Sequence, residues 1–529
     1  MERQGVPQMN HTAKGIVVGG GIGGLVAAIQ LATHGADMTL IDRNPALGGK
    51  LQDVTLGDYR FDFGPSTITM PWIFERVFAE AGEPLDPALV FEPLMINSRN
   101  FFSDGSVIDL SRDPMHMQAQ LSLVSAANRQ GFERYLQEIT KMYQISEEHF
   151  FSRSFTEWTD FVSIPLLSAI TRVHPLTTLD AFHRSFFDDP RLLAMMNRYA
   201  TYVGSSPYHT PATLAMIAYL ELVRGVYYIR GGNYRLIEAL ERLARKKGVK
   251  IIQQTAVEQI LVRHHRAQGV RLANDVLESD FVISNVDYFA TQLHLLSPED
   301  RVLRYALEEL RAQTTLSSSG SLLLAGVKQK YAQLEHHNLF YPEHYGHEFT
   351  EIFDQHAWPQ DPAIYICNSA HHEPARARHG TGSNLYILVN VPAQAHSVSS
   401  QGYSVPSQGY NGNQQSSTQW EGAYAQRMLD ILQHRWGLRD LSLHLEVSQT
   451  YGPHHIAQLS GAVDGALYGE ASHGLFKTFL RPTLKDKKIK GLYYSGGSTH
   501  PGGGTPMVTI SGLMTAAMVT KHELTNTHK

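Results

Sequence analysis

Two glycine-rich stretches near opposite ends of the chain carry the residues best suited to hold a large anionic cofactor. The first is GIVVGGGIGGLVAA, residues 15–28, where Gly19, Gly21 and Gly24 stand at dinucleotide-fingerprint spacing. Gly19 permits a tight turn, Gly21 lets a pyrophosphate approach the backbone, and Gly24 lets a helix pack close to a strand. Free N–H groups at the start of that helix, with its dipole, favour phosphate oxygens. Asp42 ends the next apolar stretch, DMTLID, where a carboxylate accepts hydrogen bonds from ribose hydroxyls. The second stretch is SGGSTHPGGGTPMV, residues 495–508, lying between KGLYY and VTISGLMTAAMVTK.

The elements around these loops set their geometry. GIVVGG reads as a buried strand, GGLVAAIQLATHG as a helix and DMTLID as a second strand. RNFFSDGSVIDLS reads as two extended pieces joined by Asp104-Gly105, and residues 114–224 read as mostly helical. In GGNYRLIEALERLARKKG, Leu236, Ile237, Leu240, Leu243 and Ala244 mark one helical face, which Gly248 can terminate. VKIIQQTAVEQILV, GVRLA and DFVISNVD then read as strands returning to the first sheet. KGLYY and the stretch after the second loop repeat the order strand, loop, helix.

Composition removes several function classes. The formal net charge is −5 and charged residues make up 18%, with no basic stripe, so nucleic acid is not an expected partner. The one cysteine, Cys367, is taken to exclude both an intrachain disulfide framework and a cysteine-based zinc site. The histidine pairs His336-His337, His371-His372 and His454-His455 are expected to diverge along a strand, so no metal is expected. No run is long and apolar enough to span a bilayer, and no signal peptide is visible. HSVSSQGYSVPSQGYNGNQQSSTQ reads as a polar surface loop.

A second glycine turn, Gly48-Gly49-Lys50, follows Asp42 at once. A nicotinamide cofactor needs no such turn, whereas FAD is long enough to need a grip at each end. The C-terminal loop supplies the second grip. Its helix, starting near Pro506–Val508, favours electron density on the flavin.

At this point the motifs become familiar. Residues 15–50, FDFGPSTITMP, GVYYIRGGNYRLIEALERLA and GLYYSGGSTHPGGGTPMVTISG together resemble the bacterial FAD-dependent carotenoid desaturase and oxygenase family, across roughly 14–520. The resemblance implies an α/β fold: a Rossmann-type FAD-binding domain assembled from three separated segments, with an α+β substrate domain bearing a helical, membrane-associating part. The expected boundaries are 12–95, 225–295 and 481–529 for the FAD-binding segments. Residues 96–224 form the helical part, and 296–480 the substrate domain with its polar insert at 396–420.

Carried onto this chain, the resemblance assigns Gly19, Gly21, Gly24, Asp42, Gly49, Lys50, Gly64, Pro65, Val257, Gly497, Met507 and Val508 to the cofactor. An acid common after the C-terminal strand in related flavoproteins is replaced here by SGGST. FDFGPSTITMPWIFERVF, RNFFSDGSVIDL and YVGSSPYHTPATLAMI look closest to the diaponeurosporene and diapolycopene oxygenases, which act on C30 carotenoids. The resemblance implies oxidation of a terminal methyl of an acyclic carotenoid to an aldehyde. A desaturase passing hydride to FAD is the alternative, and an amine oxidase-like enzyme or a carotenoid carrier lies further off.

Either chemistry needs orientation more than acid–base groups. His500 is the candidate base, with Glu148 and Arg153 behind it. Residues 150–173, rich in aromatics and leucine, are a candidate lipid-facing surface. The expected setting is cytoplasmic, peripheral on the inner face of the membrane; oligomeric state stays open.

Overall fold

The computed structural model describes residues 12–149, 172–296, 308–393, 414–474 and 481–525. One layer is a five-stranded parallel sheet. Its spatial order is Leu492–Tyr494, Phe281–Ser284, Lys14–Val18, Asp37–Ile41, Lys250–Ile252. Strands from the beginning, middle and end of the chain therefore lie side by side.

A parallel sheet is covered on both faces, and the two-residue period of the strands divides the side chains between them. Val17, Met38, Leu40, Ile283 and Tyr493 pack under helices. Ile16, Val18, Ile41, Val282, Leu492 and Tyr494 pack on the other side. There they meet Ile260, Ala267 and Val270 of a three-stranded antiparallel sheet, Val257–Arg263, Arg266–Leu272 and Val276–Glu278.

Helix Ile22–Thr33 is buried at every position from Ile22 to Leu31. It is flanked by Arg235–Lys246 and Thr505–Val519, which explains its apolar character all round. Gly512 permits the closer contact: a Cβ there would stand 2.6 Å from the Gly23 carbonyl oxygen. Helix Arg235–Lys246 buries the face read from its periodicity and stops before Gly248, at φ +86°.

The second layer is a seven-stranded sheet. Its order is Leu445–Tyr451, Ser319–Val327, Ser383–Val391, Ile364–Asn368, His337–Tyr341, Ser98–Phe102, Val107–Leu110. All neighbours are antiparallel except His337–Tyr341 with Ser98–Phe102. The edge hairpin turns at Asp104-Gly105, where the Ser106 N–H donates to Asp104 Oδ1 at 2.8 Å. One face, with Leu323, Ala325, Ile366, Leu385 and Ile387, packs on helix Gln414–His434. The opposite face carries Leu322, Leu324, Cys367 and Tyr386 toward the hairpin Gln52–Leu56/Tyr59–Phe63.

A helical cluster extends from this sheet. Helix Ala126–His149 packs Phe132, Tyr135, Ile139 and Met142 against Leu179–Arg184, Pro190–Asn197 and the turns that follow. Among the described residues, no helix is long and apolar enough to cross a membrane. Arg153, most of the candidate lipid-facing stretch 150–173 and much of the polar insert lie outside the described residues.

Candidate active site

The first strand ends at Gly19, whose φ of +99° turns the chain sharply, and the Gly19 N–H donates to the Ile41 carbonyl at 2.8 Å. Asp42 Oδ2 accepts the Gly20 N–H at 2.6 Å, and Oδ1 accepts the Asn44 N–H at 2.8 Å. The buried carboxylate thus fixes the glycine loop while facing the cavity. Helix Ile22–Thr33 begins with no side-chain cap, so its first N–H groups are available to an anion. Gly24 has a packing role: a Cβ there would stand 2.3 Å from the Gly19 carbonyl oxygen.

The second loop leaves strand Leu492–Tyr494 at Ser495 and enters helix Thr505–Val519 through Gly504, again with no side-chain cap. The Gly496 N–H donates to Ser511 Oγ at 3.1 Å, tying the loop to its own helix. The two loops meet around Asn285, at the end of strand Phe281–Ser284. A Cβ on Gly21 would lie 2.7 Å from Asn285 Nδ2, and one on Gly496 would lie 3.0 Å from its Oδ1. Among the described residues, Ser495 Oγ and Thr505 Oγ1 are buried without a protein partner, and both residues line the cavity. Polar atoms so placed fit the hydrogen-bonding edge of a flavin.

The Gly48-Gly49-Lys50 turn lies between these loops and the sheet hairpin. Gly64, at φ +97°, crosses it so closely that a Cβ would stand 1.9 Å from the Lys50 carbonyl oxygen. Lys50 Nζ donates to the carbonyls of Ala466, at 3.2 Å, and Leu467. Burial brings the Lys50 ammonium down to about 8, partly opposed by attraction to Asp287. Burial likewise raises Asp287 above the usual carboxylate range. Arg481 Nη1 donates to the carbonyls of Tyr468 at 3.1 Å and Gly497 at 3.3 Å, which holds the second loop from below.

The cavity, of about 510 Å³, continues from the glycine loops onto the seven-stranded sheet. Tyr386, Leu388 and Asn390 present alternate positions of one strand to it, with Leu322, Leu339 and Tyr365 from neighbouring strands. Leu388 pairs directly with Leu322 on one side and Tyr365 on the other. Polar groups are few on this wall. Asn390 Nδ2 donates to Glu348 Oε1 at 3.0 Å, and the Ala363 N–H donates to Oε2 at 2.7 Å. Burial raises Glu348 to about 7. Farther along, Arg198 and Tyr202 line the wall and bond to buried Glu221.

Gly19, Gly21, Asp42, Gly49, Lys50, Gly64, Pro65, Val257, Gly497 and Val508 all line this one cavity. Met507 instead packs with Met70, Ile73 and Ile510. His500 is not among the lining residues; its N–H donates to the Pro482 carbonyl at 3.0 Å. Glu148 is exposed in the last turn of helix Ala126–His149. Sequence reasoning missed Asn285, although an asparagine at the C-terminal end of a parallel strand is where such sheets bind ligands. It also missed Arg481, which carries no local pattern.

The flavin containing amine oxidoreductase family model matches residues 22–397. The chain is 33% identical to a 4,4'-diapolycopene oxygenase of Methylomonas sp, over 95% of this chain and 97% of that protein. It is 30% identical to a 4,4'-diaponeurosporene oxygenase of Staphylococcus haemolyticus, over 95% and 96% of the two chains. Among solved structures, putrescine oxidase bound to putrescine aligns with a TM-score of 0.62 at 13% identity, covering 97% of this chain and 100% of that one. Cyclohexylamine oxidase from Brevibacterium oxydans aligns at 0.58 and 12% identity, covering 97% and 99%. These structures share the fold. With two glycine loops closing on one cavity and relatives matched over nearly its whole length, the chain belongs to the flavin-containing amine oxidoreductase family: it is an oxidoreductase, and its cofactor is FAD.

Proposed function

We propose that the chain oxidises a terminal methyl group of an acyclic C30 carotenoid to an aldehyde. In this reading FAD sits in a Rossmann-type domain drawn from 12–95, 225–295 and 481–529. The observation that carries it is the single cavity joining the glycine loops to an apolar, aromatic wall. Leu322, Leu339 and Leu388, with the ring faces of Tyr365 and Tyr386, suit a long hydrocarbon. The relatives named 4,4'-diapolycopene oxygenase and 4,4'-diaponeurosporene oxygenase support the same choice.

Bound FAD would supply a two-electron acceptor, and the four-electron oxidation balances with dioxygen as co-reactant, R–CH3 + O2 giving R–CHO + H2O overall. The chain's residues bind and orient. N–H groups of residues 21–23 would hold the pyrophosphate, Asp42 the ribose and Val257 the adenine. Gly49, Lys50, Gly64, Pro65, Gly497 and Val508 would surround the flavin end, while Met507 packs away from the cavity. The apolar wall excludes water and aligns the polyene so that one terminal methyl reaches the flavin. The protein would meet lipid, where such a substrate dissolves, through exposed apolar side chains such as Met95, Met115 and Leu176, at 73%, 81% and 82%.

Assay of the purified flavoprotein separates the reading from its rival. Turnover of diaponeurosporene dispersed in phospholipid vesicles, with none of putrescine in detergent-free buffer, supports it. The reverse pattern returns the chain to amine oxidation.

A further inference from the structure

Behind the tyrosine wall, three ligating side chains converge. One ring nitrogen from each of His336 and His337 and the sulfur of Cys367 lie within 4.8 Å of one another. All three residues are buried, at 3%, 2% and 4% exposure. His337 pairs with Cys367 across the antiparallel ladder, which sets both side chains on one face. His336 precedes the strand, and its carbonyl accepts the Asn368 N–H at 2.8 Å. The alternation that separates adjacent side chains within a strand therefore does not govern this pair. Their ring centroids are 4.5 Å apart.

The hydrogen bonds around the cluster are those of an oriented ligand set. His337 Nδ1 lies 2.7 Å from the Tyr365 hydroxyl, which lies 2.6 Å from Ser66 Oγ. With Nδ1–H donating to Tyr365, the lone pair sits on Nε2, as a second hydrogen bond fixes the tautomer of a ligating imidazole. Among the described residues, His337 Nε2 and His336 Nδ1 are both buried without a hydrogen-bond partner. Unsatisfied buried nitrogens are uncommon, and two on neighbouring rings are what a single cation would satisfy.

The geometry points to a metal site formed by His336, His337 and Cys367, taking a zinc-like divalent transition ion. Two imidazoles and a thiolate select such ions over magnesium or calcium. Tetrahedral zinc places ligand atoms roughly 3.5 Å apart, so side-chain rotations closing the set by about 1 Å supply three of the four ligands, with water as the fourth. The thiol proton leaves to solvent when the thiolate binds. Asp62 lies near Cys367 and supplies further negative charge, balanced by Arg376 at 3.2 Å from it. Tyr365 both holds His337 and lines the main cavity, so the ion stiffens the wall on which a substrate lies. Such a site runs against the expectation of no metal, which rested on strand alternation and on a lone cysteine; the fold brings Cys367 to the histidines.

The test uses full-length flavoprotein, stripped with EDTA, given zinc and passed through gel filtration. The expected result is one zinc per chain, with X-ray absorption showing one sulfur near ~2.3 Å and nitrogens near ~2.0–2.1 Å. In Cys367→Ser the flavin spectrum stays, the sulfur shell disappears and zinc retention falls at least tenfold. Flavin-replete wild-type protein that retains no zinc, or zinc with no sulfur neighbour, overturns the proposal. The wild-type spectrum decides the matter even if the variant does not fold. The outcome is independent of which substrate the flavin oxidises.

Discussion

The Cβ that Gly23 lacks would stand 2.6 Å from the Ser495 hydroxyl oxygen and 3.1 Å from the Val508 carbonyl oxygen. The N-terminal and C-terminal glycine loops are therefore in direct contact. Each needs the other for its shape, so one cofactor spanning both is the economical reason for two such loops in one chain.

Gly23→Ala is expected to separate the loops and reduce FAD retention at least tenfold, read as flavin absorbance per protein after gel filtration. Alanine favours helix over glycine by about 1 kcal/mol, so helix propensity cannot explain such a loss. Full flavin content in the variant would show that the contact is not needed.

Asp42 accepts two backbone N–H groups of the loop that it closes. In Asp42→Ala both lose their partner, at about 1–3 kcal/mol for each buried group left unpaired. FAD affinity, measured by flavin fluorescence titration, is expected to fall tenfold or more. Asp42→Asn keeps an acceptor and should fall between the two.

Glu348 gives a pH signature. Burial raises its carboxyl to about 7, so its protonated form is favoured in the folded protein. That favourable contribution is complete below the unfolded value near ~4.3 and is lost as pH rises through about 7. Glu348→Gln removes the titration. Its stability relative to wild type should therefore rise from pH 5 to pH 8, by up to about 3 kcal/mol. Urea unfolding across that range checks the sign; parallel curves for the two proteins would contradict it.

Leu388 lies between Leu322 and Tyr365 on the apolar wall. Leu388→Glu places a carboxylate there, and carotenoid turnover is expected to drop about a hundredfold with flavin content unchanged. His500→Ala and Glu148→Ala alter residues that do not line the cavity, so turnover should stay within about threefold of wild type. A large loss in His500→Ala would give that residue a chemical role after all.

What was legible follows from what is local. Gly19, Gly21, Gly24 and Asp42 announce a cofactor because strand, turn and helix lie within one short stretch. Helix Arg235–Lys246 could be read because one face is buried and the other is not. Of the seven-stranded sheet the edge hairpin at Asp104-Gly105 could be read, but its centre could not: Ser319–Val327 is buried at every position, so it shows no alternation to mark it as a strand. Asn285 acts only because two loops from elsewhere close around it. Lys50 reads as a cation beside the cofactor, yet its ammonium spends its bonds on the carbonyls of Ala466 and Leu467, a partnership no spacing reveals.

The most direct test of the account is mass spectrometry of pigments from bacteria that make diaponeurosporene, with and without this protein. The expected product gains one oxygen and loses two hydrogens at a terminal methyl, the mass change of an aldehyde. Unchanged diaponeurosporene there, with colour instead appearing from a colourless precursor by losses of hydrogen alone, would contradict the oxygenase reading and make the protein a desaturase.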